Sequence, residues 1–215
     1  MPFTITDFLD VFRRYNEGVW PAQWILVILA LVAVLSAAFR ARRLTNAPAV
    51  ILAVLWLWVG VVYHFAYFRS INPAAAVFGA LFIVQAGLFV WLALRKPSIR
   101  FTVERDVAGL LGGLLIVFAL VIYPSLGWLA GHRYPAAPTF GLPCPTTVFT
   151  FGLLLWVQPA LPRRLLIIPV LWSVVGTVAA FQLGMMEDFS LPIAALVASG
   201  VVLRSERRDE RLRPA

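Results

Sequence analysis

The sequence predicts an all-α, polytopic membrane bundle of seven transmembrane helices, preceded by an N-terminal interfacial amphipathic helix. Three observations carry this. Of 215 residues, 61% are hydrophobic and only 13% charged, with a mean hydropathy of +0.88, whereas a soluble domain carries about 25% charged residues. The apolar residues form long runs with sparse charge, and about 20 such residues cross the hydrocarbon as a helix. The 18 basic residues, all but one of them Arg, fall in short clusters at the ends of those runs. That distribution orients a chain in a lipid bilayer, and it excludes a nucleic-acid patch despite the net charge of +8.

Three regions follow: an interfacial helix in residues 1–19, a membrane domain in 20–203 and a basic cytoplasmic tail in 204–215. In the first, Ile5, Phe8, Leu9, Phe12 and Tyr15 recur at helical spacing, with Asp7, Asp10, Arg13 and Arg14 opposite. Thr4 and Asp7 fit a capping box, and Gly18 fits a stop. The acidic residues in this stretch interrupt any apolar core of a cleavable signal peptide, so the first span is expected to act as the insertion signal.

The spans are expected at Pro21–Phe39, Pro48–Phe68, Pro73–Leu94, Val107–Leu129, Pro145–Leu161, Leu165–Leu183 and Phe189–Leu203, with a kink at Tyr123-Pro124. Fourteen of the 18 Lys and Arg lie after the first, third, fifth and seventh spans. The positive-inside rule therefore places the N-terminus outside and the C-terminus in the cytoplasm. The second and sixth spans share a pattern: Val54-Leu55-Trp56 with Val59-Gly60, and Val170-Leu171-Trp172 with Val175-Gly176. That match predicts a parallel repeat of three helices on either side of an inverting fourth, an arrangement found in carriers.

On these boundaries the spans hold no Asp, Glu, Lys or Arg, which weighs against a carboxylate-driven pump. Gln85, Ser173 and Thr177 remain in mid-span, and a buried amide such as Gln85 must face another helix. The outer side is chemically richer. His64 ends the second span, His132 and Cys144 flank the loop before the fifth, and Met185-Met186-Glu187-Asp188 joins the last two. Trp56, Gly60, Tyr63, His64 and Tyr67 share one helix face. The candidate ligand-binding residues are Trp56, Tyr63, His64, His132, Tyr134 and Cys144; no residue is assigned a catalytic role. Imidazole and thiolate suit a soft or borderline metal such as copper or zinc, so His64, His132 and Cys144 are also candidate metal ligands. Their spacing matches no metal signature, and polar side chains collect at membrane interfaces for structural reasons alone.

The loop Gly131–Thr147, GHRYPAAPTFGLPCPTT, holds four of the 15 prolines and the single cysteine. Proline fixes φ and restricts its predecessor, so this loop is expected to fold back as a stiff lid, burying Tyr134, Phe140 and Leu142. Cys144 opens the next helix, where the dipole would stabilise a thiolate; burial as an inert thiol is the alternative. This loop, together with His64-Phe65-x-x-Phe68-x-x-Ile71-Asn72-Pro73-Ala74-Ala75, resembles an uncharacterised family of bacterial multi-pass membrane proteins along nearly the whole chain. The resemblance implies a bacterial inner-membrane setting and supplies no activity.

The function that best fits these features is a transporter or channel for a small solute or metal ion, with an outward-facing polar site. A membrane-embedded binding, sensing or accessory protein is the alternative. An intramembrane enzyme fits least, because two histidines cannot make a three-His zinc site and the spans show no Ser-His-Asp set.

Overall fold

The computed structural model describes residues 2–40, 44–95 and 99–212. Arg42, Arg43, Lys96 and Arg213, assigned above to the basic loops and tail, lie outside the described residues. Helix α1 (Ile5–Gly18) starts at Thr4, whose Oγ1 accepts the Asp7 N–H at 3.2 Å while the Asp7 carboxylate accepts the Thr4 N–H at 2.9 Å. This is the expected reciprocal capping box. Phe8, Val11, Phe12 and Tyr15 are buried, and Asp10 pairs with Arg13 and Arg14 on the exposed face. The chain then bends by 85° into α2 (Ala22–Ala38).

Helices α3 (Ala47–Ser70) and α4 (Ala75–Arg95) cross at Gly60 and Gly79, where a Cβ on Gly60 would stand 2.9 Å from the Gly79 carbonyl oxygen. Glycine at both positions lets the backbones meet. Helix α5 (Val107–Leu129) starts at Asp106, whose Oδ1 accepts the Gly109 N–H at 2.7 Å. The expected kink in α5 takes the form of a π-helical segment, Phe118–Ile122, directly before Tyr123-Pro124. Pro124 has no N–H for Leu120, and its ring would press on that carbonyl in a regular α-helix; the wider turn relieves both problems.

After the proline-rich loop come α6 (Pro143–Leu154), α7 (Arg164–Leu183) and α8 (Ser190–Leu212). The fifth expected span is the main difference. Its expected range is Pro145–Leu161, but α6 ends at Leu154 and the chain turns extended at Val157–Gln158, pairing antiparallel with Arg100–Phe101. Pro159 favours an extended residue before it, which stops the helix. Twelve residues reach about 18 Å at 1.5 Å per residue, well short of the hydrocarbon thickness of about 30 Å. Every residue of α6 except Cys144 is buried, so this helix fills the middle of the bundle. The two-residue ladder is an exception to the all-α expectation that no sequence pattern announced.

Among the described residues, α3, α4, α5, α7 and the stretch Met186–Arg204 are long and apolar enough to cross a membrane; a sixth is added if the bent pair α1–α2 counts as one span. Their outward faces are apolar as well, with Leu110, Phe181 and Leu196 65%, 72% and 75% exposed. Helices apolar on both faces are compatible with a membrane location.

The polar mid-span residues are accounted for by packing. Gln85 donates its Nε2 to the Leu165 carbonyl at 3.1 Å, and Ser173 and Thr177 bond carbonyls one turn back in their own helix. Trp56 stacks on Phe82 at 4.3 Å between ring centres and donates Nε1 to Thr150 Oγ1 at 2.9 Å. Trp56 thereby ties α3 to both α4 and α6.

Candidate functional site

At one end of the bundle α1, α3, α5, α7 and the start of α6 converge on a cavity of about 110 Å³. A single water needs roughly 10–15 Å³ by the same measure, so the space suits a small organic molecule or several waters. Its walls are aromatic: Tyr63 and Phe68 from α3, Phe78 from α4, Tyr123 from α5 and Trp172 from α7. Phe8 and Phe12 of α1 close one side, and Asn72, Cys144 and Asp188 add polar edges.

Two helix irregularities position the tyrosines. Tyr63 lies within the π-helical segment Val59–Tyr67 of α3, and Tyr123 follows the π-segment of α5. Such wide turns re-aim side chains and recur at functional sites. In α3 the result is that consecutive residues Tyr63 and His64 are both buried, at 2% and 0% exposure.

The acidic edge arises from the connection between α7 and α8. Gly184 ends α7 in the left-handed conformation (φ +68°), and a short 3₁₀ turn, Met186–Phe189, follows. Glu187 and Asp188 on this turn are only 1% and 4% exposed. The Tyr123 hydroxyl donates to Asp188 Oδ1, and His132 Nδ1 lies 2.8 Å from Glu187 Oε1. Glu187 Oε2 has no partner, and no Lys or Arg pairs with either carboxylate among the described residues. Both acids of the connection between the last two spans thus turn inward.

His64 lies behind the aromatic wall. The ring centres of Tyr63, Phe82 and Trp172 stand 5.2, 4.9 and 5.2 Å from its own. Among the described residues neither ring nitrogen has a hydrogen-bond partner, and Thr146 Oγ1 is buried and unpartnered too. Each such orphan costs on the order of 1–3 kcal/mol, and buried polar groups normally find a protein or water partner. The His64 nitrogens stand one ring behind the cavity wall, with Trp172 between.

The loop Gly131–Thr147 folds back as expected, tied down by α1. Asn16 donates Nδ2 to the carbonyls of Pro135 and Ala137 at 2.6 and 2.8 Å and accepts from Thr139 Oγ1 at 2.7 Å. Phe140 and Leu142 are buried, while Tyr134 stays 55% exposed against Trp20. Burial first, and the neighbouring Asp188 carboxyl group second, push the Cys144 thiol well above its ordinary value of 9.0, which favours the inert reading.

Of the candidate binding residues, Tyr63 and Cys144 line the cavity and His64 lies one ring behind it. His132 turns to Glu187, and Trp56 and Tyr134 lie outside the lining. The three candidate metal ligands are not gathered into one ligand set. Among the described residues no three His, Cys, Asp or Glu side chains stand together as a metal site. Sequence reasoning missed Tyr123, Trp172, Glu187 and Asp188. The available signal was the Glu187-Asp188 pair itself, two adjacent acids between apolar runs with no basic residue nearby.

Residues 5–213 match DUF6064, a family of unknown function. No curated protein and no solved structure matches the chain.

Proposed function

The chain belongs to the DUF6064 family, and from that premise we propose that it is a multi-pass membrane protein that binds a small solute in the aromatic cavity and carries it across the bilayer. The single observation behind this reading is an aromatic cavity edged by the buried carboxyl group of Asp188 at one end of an apolar bundle. Sites of this kind, mostly apolar with a few convergent polar groups, are where small molecules bind. The fully buried α6 starts at the cavity and fills the bundle beyond it, which favours a carrier that changes conformation over an open channel.

The proposed setting is a bacterial inner membrane, with the N-terminus outside and the C-terminus cytoplasmic. The basic clusters support that orientation, which puts the cavity on the outer side. The parallel repeat remains part of the proposal. In its favour, Gly60 meets α4 and Gly176 meets Leu191 of α8, as corresponding helix contacts would.

The second reading, a binding or sensing protein without transport, is favoured by the same α6 plug. Two measurements separate them. Thermal shift of the purified protein against a panel of small solutes identifies a ligand, and flux of that ligand into proteoliposomes follows. Saturable flux is the expected result; binding without flux gives the sensing reading, and no binding at all defeats both.

A further inference from the structure

We propose that the ligand of this cavity is a small organic cation, a protonated or quaternary amine held against Asp188 inside a cage formed by Tyr63, Phe78, Tyr123 and Trp172. The proposal rests on the cavity being a binding site and adds the chemical class of what it takes.

A carboxyl group taken out of water keeps its charge only when paired and hydrogen-bonded. Glu187 has His132, whereas Asp188 has the Tyr123 hydroxyl and the Cys144 thiol as neighbours but no Lys or Arg. The titratable groups around it are Tyr63 on α3, Tyr123 on α5, Cys144 on α6, Glu187 beside it and His132 on the loop. None of these is a permanent cation. Asp188 nonetheless lines the cavity, so a positive group there would supply the missing partner.

The remaining walls suit the same ligand. The faces of Trp and Tyr rings carry negative electrostatic potential and attract ammonium groups, most strongly where water is excluded. Trp172 meets Phe78 edge to face with ring centres 5.4 Å apart, so the rings present both faces and edges to the space. An anionic ligand would find no Lys or Arg among the lining residues. A wholly apolar one would offer Asp188 neither a charge nor a hydrogen bond.

The test compares choline with its neutral isostere, 3,3-dimethylbutanol, and with sodium ion, reading thermal shift and tryptophan fluorescence of the full chain in nanodiscs. Choline should bind at least about tenfold more tightly than the isostere, equivalent to about 1.4 kcal/mol. Asp188→Asn should remove that preference while leaving the isostere's weak binding in place. Trp172→Leu, which keeps the charge and breaks the cage, should weaken choline several-fold and serves if the Asp188 variant does not fold. Equal binding of choline and isostere overturns the cation class and leaves the cavity reading standing. Response to sodium alone also overturns the class, making Asp188 an inorganic-ion site. No response to any probe overturns the cavity reading with it.

Discussion

Gln85 on α4 donates its side-chain amide to the carbonyl of Leu165 on α7, the very acceptor that Pro169 leaves empty four residues further on. A proline inside a helix removes one backbone donor, and in an apolar surround the freed carbonyl has no water to turn to. Gln85→Leu should therefore destabilise the protein by about 1–3 kcal/mol. Pro169→Ala restores the helical donor, so the same Gln85→Leu change made on that background should cost distinctly less. A double-mutant cycle on thermal unfolding checks this; additive effects would mean the two residues are not linked.

His132 and Glu187 form a second pairing of the same logic, at 2.8 Å with the carboxylate wholly buried. Removing the histidine strands an acid that already has one unpartnered oxygen. His132→Ala should cost about 1–3 kcal/mol, and Glu187→Gln on the His132→Ala background should recover part of it by taking the charge away. Unfolding midpoints of the single and double variants read the result.

How much of this was legible follows from the physics of each element. Hydropathy and caps located α1 to α5 and α7 closely, because apolar runs and a Thr4-Asp7 box are local signals. The short α6 was not legible. A buried helix and a spanning helix have the same apolar composition, and only Pro159 hinted at an early stop. The site was half legible. Tyr63 and Cys144 were found from their position at span ends, but the inward turn of Glu187 and Asp188 depends on Tyr123 and His132 from elsewhere in the chain. The same holds for Asn16, which anchors the loop through three hydrogen bonds to residues far along the chain.

Glycines give a contrast within one fold. A Cβ on Gly112 of α5 would stand 2.8 Å from the Gly152 carbonyl oxygen of α6, and 2.5 Å from Trp156 Nε1, while Gly87 on α4 has nothing within 4 Å. Gly112→Ala should force α5 off α6 and cost about 1–3 kcal/mol. Gly87→Ala should be neutral or slightly stabilising, since alanine favours the helix by up to about 1 kcal/mol. Melting temperatures of the two variants side by side decide the matter; equal effects would mean that α5 and α6 do not meet as described.

Cys144 offers a pH-dependent readout at the edge of the cavity. Cys144 is half-buried in the cavity wall, where desolvation and the Asp188 carboxyl group push its thiol well above the ordinary 9.0. Alkylation requires thiolate, so maleimide labelling at pH 7.5 should be far slower in the folded protein than after denaturation. The sign for stability follows from proton counting. Above pH 9 the unfolded chain loses this proton while the folded one keeps it, so stability falls as pH rises from there. Below pH 9 both states hold the proton and the contribution is flat. Cys144→Ala should therefore remove part of the alkaline loss measured between pH 9 and 10.5 while leaving the curve near neutrality unchanged in shape. Rapid labelling of the folded protein at pH 7.5, or an alkaline limb identical in Cys144→Ala, would instead place an ionised or exposed thiol at the mouth of the cavity.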